Sequence, residues 1–285
     1  MQIAEPFRDR APHGCVEFMK AFLSTIFQGV NRVLEIFGLR LLRTNMPARS
    51  FGLFFKHLKS LGFEFRTVID VGVAFGTPAI YRAFPRARYF LVEPVAECRP
   101  VLEELKQRLN AEYFLVVAGA ENGEATFNVH ADISGSSMFS QAEGKALDGE
   151  TRRIAMRRLD SLLPETLERP VFLKVDTQGA EIEVLKGLGK RIGEIDLLVL
   201  EATLMPLRNG IPQFADIVRF CDEAGFAVYD LLEGHMRALD GALAQIDVAF
   251  VRKDSVLRSP TGFFNSEQVA EYLKRSSRIK ARETP

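Results

Sequence analysis

The sequence predicts an α/β protein whose sheet is mostly parallel and ends in an antiparallel hairpin. Three observations predict it. Short apolar runs rich in β-branched residues alternate with helical patterns, as at 67–71, 89–93, 171–176 and 195–201, which is how a doubly wound sheet with right-handed crossovers reads in sequence. The first run, Thr67-Val-Ile-Asp-Val71, passes straight into a turn carrying Gly72 and Gly76 and then a helix start at Pro78. The last two runs, 226–231 and 246–251, are separated by a turn-rich segment with Asp240-Gly241. That segment is too short for a helical crossover, so the two strands must pair antiparallel.

The elements follow in chain order. In residues 15–42, Phe18, Phe22, Ile26, Val30, Val33 and Phe37 recur at spacings of three or four, which predicts one or two amphipathic helices in an N-terminal extension, residues 1–45. These helices are candidates for a cap on the main domain, a homodimer face or a peripheral membrane contact. Phe51, Phe54, Phe55, Leu58 and Leu61 repeat the pattern with Gly62 as the stop, and open the main domain, residues 46–258. Val68, Ile69 and Val71 predict a strand buried on both faces. A second strand closes on Glu93, a helix over 95–109 presents Val101, Leu102, Leu105 and Leu109 on one side, and a third strand is expected at 113–117.

Beyond it, Ala118-Gly-Ala-Glu-Asn-Gly-Glu124 has no apolar period and carries an Asn-Gly turn signal. Residues 124–130 alternate like an exposed strand, 134–140 are expected as a polar, flexible loop, and 152–159 as a strand with exposed arginines. This interruption is expected over the ligand-binding edge of the sheet. The rhythm then resumes with a strand at 171–176, a helix from Gly179 through Leu188, a strand closed by Glu201, a helix over 212–224 and the hairpin. Lys174, alone in an apolar strand, reads as edge-facing or snorkelling. In the tail, residues 259–285, a short surface helix is expected at 267–274 with disorder beyond 276.

Composition narrows the function. Lys plus Arg and Asp plus Glu number 37 each, so no net field draws nucleic acid and no nucleic-acid partner is expected. Cys15, Cys98 and Cys221 are odd in number and far apart, which argues against a disulfide framework or a zinc site and points to a reducing cytoplasm. Lys20, Arg32, Glu35 and Arg40 interrupt the apolar N-terminal stretch, so no uncharged run there approaches the roughly 18–20 residues that span a bilayer. Glu5 and Asp9 argue against a signal peptide.

The candidate site begins with the glycines. Gly72 and Gly76 remove side chains where a ligand must approach the backbone, and the helix start at Pro78 offers free N–H groups to polar atoms. Glu93 closes the next strand, where a carboxylate takes both hydroxyls of a ribose. Together they predict a cofactor containing a nucleoside. An NAD(P)-dependent oxidoreductase is the alternative, although Ala74 replaces the middle glycine of that fingerprint and the hairpin stands against it. A non-catalytic assembly protein retaining the fold is the third reading.

Several motifs in order resemble the FkbM family of S-adenosylmethionine-dependent O-methyltransferases. They are Asp70-Val-Gly-Val-Ala-Phe-Gly76, Glu93-Pro94, Gly135-Ser-Ser137, Arg158-Leu-Asp-Ser161, the long stretch Leu173-Lys-Val-Asp-Thr-Gln-Gly-Ala-Glu-Ile-Glu-Val-Leu-Lys-Gly187, and Leu200-Glu201, together spanning about 65–253. The resemblance implies a Rossmann-like class I methyltransferase fold with a seven-stranded sheet, and S-adenosyl-L-methionine as cofactor. Gly72, Val73, Ala74, Gly76, Glu93 and the backbone near Ala118 are then its binding residues, with Asp70 either contacting the amino-acid part of the cofactor or fixing the loop. It places Asp176 beside the transferable methyl with Glu201 and Glu181 as neighbours, a set of acids for a base or a divalent metal, the metal being left open. The acceptor implied is a hydroxyl of a sugar, a glycan or a glycosylated metabolite, for which His130, Ser136 and Ser137 of the inserted region are candidate binding residues. Asp176 is also placed to N-cap the helix after it. Two stretches depart from the family: Val73-Ala74 stands where Ala-Asn is common, and Gln178 where an acid is frequent.

Overall fold

The strands are β1 (Thr67–Val71), β2 (Arg88–Val92), β3 (Asn110–Phe114), β4 (Val117–Gly119), β5 (Gly123–Val129), β6 (Glu150–Arg158), β7 (Val171–Val175), β8 (Leu197–Thr203), β9 (Phe226–Met236) and β10 (Leu243–Arg252). Seven of them form one sheet in the order β3-β2-β1-β7-β8-β10-β9, and β4-β6-β5 form a second, smaller one. The structure is a computed structural model and describes residues 49–141, 148–259 and 262–283, together with Gly29, Val30, Val33, Leu34 and Ile36. Residues 47–285 form one compact unit. The amphipathic reading of residues 15–42 lies, apart from the five residues named, outside the described residues.

Every residue of β1 is buried because the strand is central, pairing parallel with β2 on one side and β7 on the other. Its period-two side chains feed two cores. Ile69 and Val71 join Phe90, Leu173, Val184 and Leu185 on one face, while Val68 joins Phe54, Phe55, Phe84, Leu102 and Phe172 on the other. The helices are α1 (Phe51–Ser60), α2 (Pro78–Ala83), α3 (Arg99–Arg108), α4 (Leu159–Leu162), α5 (Glu181–Leu188), α6 (Phe214–Glu223) and α7 (Ser266–Glu283). α1 starts where Ser50 Oγ accepts from Leu53 N at 3.4 Å, and it buries Phe54, Phe55 and Leu58. The last two strands of the large sheet, β9 and β10, are antiparallel to each other, and β10 is antiparallel to β8, as the short connection required.

Four expectations change. The third strand lies three residues earlier than expected, in register from Arg88↔Asn110 to Val92↔Phe114. It is an edge strand with Asn110 and Glu112 exposed, so its apolar content does not mark it. Lys174 is neither edge-facing nor snorkelling: β7 sits between β1 and β8, and Lys174 is 5% exposed. The loop 134–140 is tied down, since Asn128 N donates to Ser137 O at 2.8 Å and Ser137 N donates back to Asn128 O at 3.0 Å. The tail helix runs on past 276 to Glu283, as its Ala, Glu, Lys and Arg content favours. Among the described residues no helix is long and apolar enough to cross a membrane.

Candidate active site

The C-terminal ends of β1, β2, β7 and β8 open onto one cavity of about 530 Å³. Its floor is the glycine turn. Gly72 and Gly76 take φ of 79° and 89°, and Ala74 between them takes 44°. The parallel neighbours β1 and β7 end together, Asp176 N donating to Val71 O at 3.0 Å. That closeness leaves no room for a side chain at Gly72, where a Cβ would lie 1.7 Å from the Asp176 carbonyl oxygen.

The turn aims one N–H at the acid of the next strand. Ala74 N donates to Glu93 Oε2 and Val95 N to Glu93 Oε1, each at 2.8 Å. Burial raises the Glu93 pKa, and these two N–H groups oppose the rise by stabilising the carboxylate. Ala74 holds its left-handed conformation without the freedom of glycine. Ala74→Gly is therefore expected to raise unfolding stability by about 0.5 kcal/mol, the relief of roughly 1 kcal/mol of strain less the greater freedom of glycine in the unfolded chain. A urea midpoint at or below that of the parent protein contradicts this.

Beneath the turn lies a buried charge network. Lys174 Nζ is 3.5 Å from Asp70 Oδ1 and 3.3 Å from Asp176 Oδ2, and donates to Gly72 O at 3.3 Å. Burial disfavours the Lys174 ammonium, but Asp176, Asp70 and Asp247 outweigh it and hold its pKa above the usual range. Tyr81 of α2 donates to Asp70 Oδ2 at 2.8 Å. Asp70 is thus fully buried behind the turn and does not line the cavity, so the geometry fits the loop-fixing one of its two expected roles and not the cofactor contact. Its side chain lies on the same face of β1 as Val68, where it braces the turn through Lys174 and Tyr81.

Two of the three candidate catalytic acids reach the cavity. Asp176 lines it with its side chain 33% exposed, and Glu201 at the end of β8 lines it beside Asp176. Gln178 Nε2 joins them, donating to Asp176 Oδ1 at 3.2 Å and to Glu201 Oε2 at 2.5 Å. Burial, then the charges of Asp176, Glu181 and Asp247, push the Glu201 pKa well above the carboxylate range. Glu181 does not reach the cavity. Its Oε1 accepts from Thr177 N, Thr177 Oγ1 and Gly179 N at 3.0–3.1 Å, so the start of its own helix absorbs it. Asp176 is not the N-cap of α5, whose capping position is Ala180.

Asp247 of β10 stands opposite Glu201 in the register with β8. Burial and then Asp176 raise its pKa from 3.8 to about 7. The folded protein keeps a proton there that the unfolded chain releases, so stability from this group is full below about pH 4 and falls as pH rises through 7. Asp247→Asn is expected to gain a few kcal/mol of stability at pH 8 and nothing at pH 4, read from urea unfolding at both. Equal effects at the two pH values contradict the raised pKa.

The inserted region closes the cavity. His130 and Ser136 line it, with His130 N donating to Ser136 Oγ at 3.0 Å and Asp132 N donating to His130 Nδ1 at 3.1 Å. Ser137 does not line it: the side chain is fully buried, and its hydroxyl donates to Gln178 O at 2.8 Å. Ser137 therefore anchors the loop instead of facing a ligand. Phe75 stands 60% exposed at the cavity, and Val116, Val117, Ala118 and Pro94 give it an apolar wall. Of the residues singled out in the sequence, Gly72, Val73, Ala74, Gly76, Glu93, Ala118, His130, Ser136, Asp176 and Glu201 meet in this one cavity. Lys174, Gln178, Gln245 and Asp247 were not singled out as site residues. Lys174, Gln245 and Asp247 carried a signal, being polar interruptions of apolar strands, and Gln178 carried one as a departure from the family pattern. Among the described residues no group of three His, Cys, Asp or Glu side chains is placed to hold a metal ion.

The cavity fits an adenosyl group. Glu93 offers a fixed carboxylate for a diol, the apolar wall offers a face for a planar base, and the side-chain-free turn offers backbone. Strand order with an antiparallel last strand, joined to a glycine turn facing a carboxylate, defines a Rossmann-like methyltransferase fold. The chain belongs to the FkbM methyltransferase family: the family model "Methyltransferase FkbM domain" matches residues 70–228, more than half the chain. The family is one of methyltransferases, and the residues gathered in the cavity suit S-adenosyl-L-methionine as cofactor. Over 173 residues the chain is 30% identical to the AMB antimetabolite synthetase AmbE of Pseudomonas aeruginosa, a match covering 47% of this chain and 8% of that protein. The chain therefore spans less than a tenth of that relative's length. Similar solved structures include a precorrin-6y C5,15-methyltransferase from Geobacter metallireducens, at 14% identity and TM-score 0.38 over 68% of this chain and 85% of that one. Magnesium protoporphyrin IX methyltransferase from Synechocystis PCC 6803, with S-adenosylmethionine bound, is similar at 13% identity and TM-score 0.38 over 71% and 77%. The fold rests on the strand order and not on these distant likenesses.

Proposed function

We propose that the chain methylates a hydroxyl oxygen of a sugar, a glycan or a glycosylated metabolite. The observation that carries this reading is the pair Asp176 and Glu201 in the same cavity as Glu93. Glu93 and the turn of Gly72, Val73, Ala74 and Gly76 would hold the cofactor, with Ala118 at the base. The bound cofactor supplies an activated methyl on a sulfonium. Asp176 accepts the hydroxyl proton as the oxygen takes the methyl, because a sugar hydroxyl is a weak acid and needs a base within hydrogen-bond reach. His130, Ser136 and Gln245 supply polar partners for further hydroxyls. The relative's name, an antimetabolite synthetase, supports an acceptor from secondary metabolism.

The same proposal includes the division into an N-terminal helical extension (1–45), a methyltransferase domain (46–258) and a tail (259–285). It includes a cytoplasmic location and a homodimer formed through the extension, with peripheral membrane contact as that segment's other use. The test is methyl incorporation from labelled S-adenosylmethionine across a panel of nucleotide sugars and glycans, each product analysed for the atom methylated. An O-methyl ether is expected. Methylation of nitrogen or carbon alone overturns the acceptor class.

A further inference from the structure

Gln178 lies at the centre of the acid pair, and its backbone adopts φ 57°, a left-handed conformation that a side-chain-bearing residue adopts only under constraint. The constraint is visible in its contacts. Its Nε2 faces two acceptors, Asp176 Oδ1 and Glu201 Oε2, and its Oε1 faces two donors, Arg208 Nη2 at 3.3 Å and Gln245 Nε2 at 3.4 Å. Asp176 accepts and the Arg208 guanidinium only donates, so these two fix the amide in one orientation, which also suits Glu201 Oε2 and Gln245 Nε2. Its own carbonyl takes the Ser137 hydroxyl, and Arg208 also donates to Gly135 O at 2.9 Å. One residue thereby links both acids to the inserted loop that carries Ser136.

We infer that Gln178 is a positioning residue for methyl transfer, its amide bridging Asp176 and Glu201 and holding both carboxylates toward the cavity. Each amide hydrogen serves one acid. With Lys174 on the other oxygen of Asp176, that carboxylate is held at both ends and presents a fixed lone pair to the acceptor. The inference rests on the base role proposed for Asp176.

The test uses Gln178→Met, which keeps the length and removes the donors, and Gln178→Gly, which removes the side chain and suits the backbone angle. The first readout needs no acceptor: carbon-13 NMR titration of the Glu201 carboxyl in the full chain. The groups acting on that carboxyl are Asp176 and Lys174 from β7 and its end, Glu181 from α5, and Asp247 and Gln245 from β10. Loss of the amide donor is expected to move its titration up by about one pH unit, a tenfold gain in proton affinity, in both variants. The second readout is the kcat and KM split with the acceptor found in the glycan panel. There kcat is expected to fall roughly 10- to 100-fold while affinity for S-adenosylhomocysteine holds within about threefold. An unmoved Glu201 titration in Gln178→Met, or kcat within about twofold of the parent, overturns the inference. Turnover that survives in Asp176→Asn instead sinks the base reading and leaves the Glu201 titration standing as a measure of the bridge.

Discussion

Asp176→Asn is expected to lower methyl transfer by roughly 10²- to 10⁴-fold while leaving S-adenosylhomocysteine binding nearly intact. Asparagine has the same shape and still accepts from Gln178 Nε2, but it cannot take a proton. Cofactor affinity is expected to survive because its contacts lie elsewhere, on Glu93 and the glycine turn, with Lys174 still paired to Asp70 and bonded to Gly72 O. Removing this carboxylate relieves repulsion on Glu201 and Asp247 while taking one of two paired carboxylates from Lys174, which keeps Asp70, so the variant is expected to fold. The check is labelled-methyl incorporation beside calorimetry with S-adenosylhomocysteine. Unchanged incorporation removes Asp176 from the base role; loss of both activities assigns it to cofactor binding.

Gly72→Ala is expected to cost about 3 kcal/mol of stability and to weaken S-adenosylhomocysteine binding at least tenfold, because two penalties coincide at one atom. The residue sits at φ 79°, and its added Cβ would lie 1.7 Å from a backbone oxygen, not from a side chain able to rotate away. Relief requires the ends of β1 and β7 to separate, which breaks the Asp176 N to Val71 O bond and shifts Asp176 itself. At Gly76 the nearest atom to an added Cβ is Tyr81 Cε2 at 3.1 Å, a side chain that can yield, so Gly76→Ala serves as the milder comparison. Urea unfolding and calorimetry read both effects. A Gly72→Ala protein of parental stability contradicts the close approach of the two strand ends.

The glycine turn, the carboxylate after β2 and the hairpin at the end were legible because each follows from a local rule. β-branched runs make buried strands, glycines take left-handed angles, and a short connection permits only antiparallel pairing. Membership in a methyltransferase family was legible in the long motif around Asp176. Three candidate residues stand outside the cavity for one shared reason: Asp70, Glu181 and Ser137 have the chemistry of a site, but each uses it on its own protein. Lys174 and Tyr81 take up Asp70, the turn at 177–179 takes up Glu181, and Gln178 O takes up Ser137.

By itself the sequence determined the sheet, the cofactor turn and the family, since these depend on residues near one another in the chain or on patterns repeated along a strand. Only the tertiary structure decided which acids face the cavity and that Gln178 bridges two of them. Asp176 and Glu201 come from different strands, Gln245 from a third and Arg208 from a loop. A buried polar side chain is satisfied by whatever the fold brings within 3 Å or so, and no spacing in the chain specifies that distance.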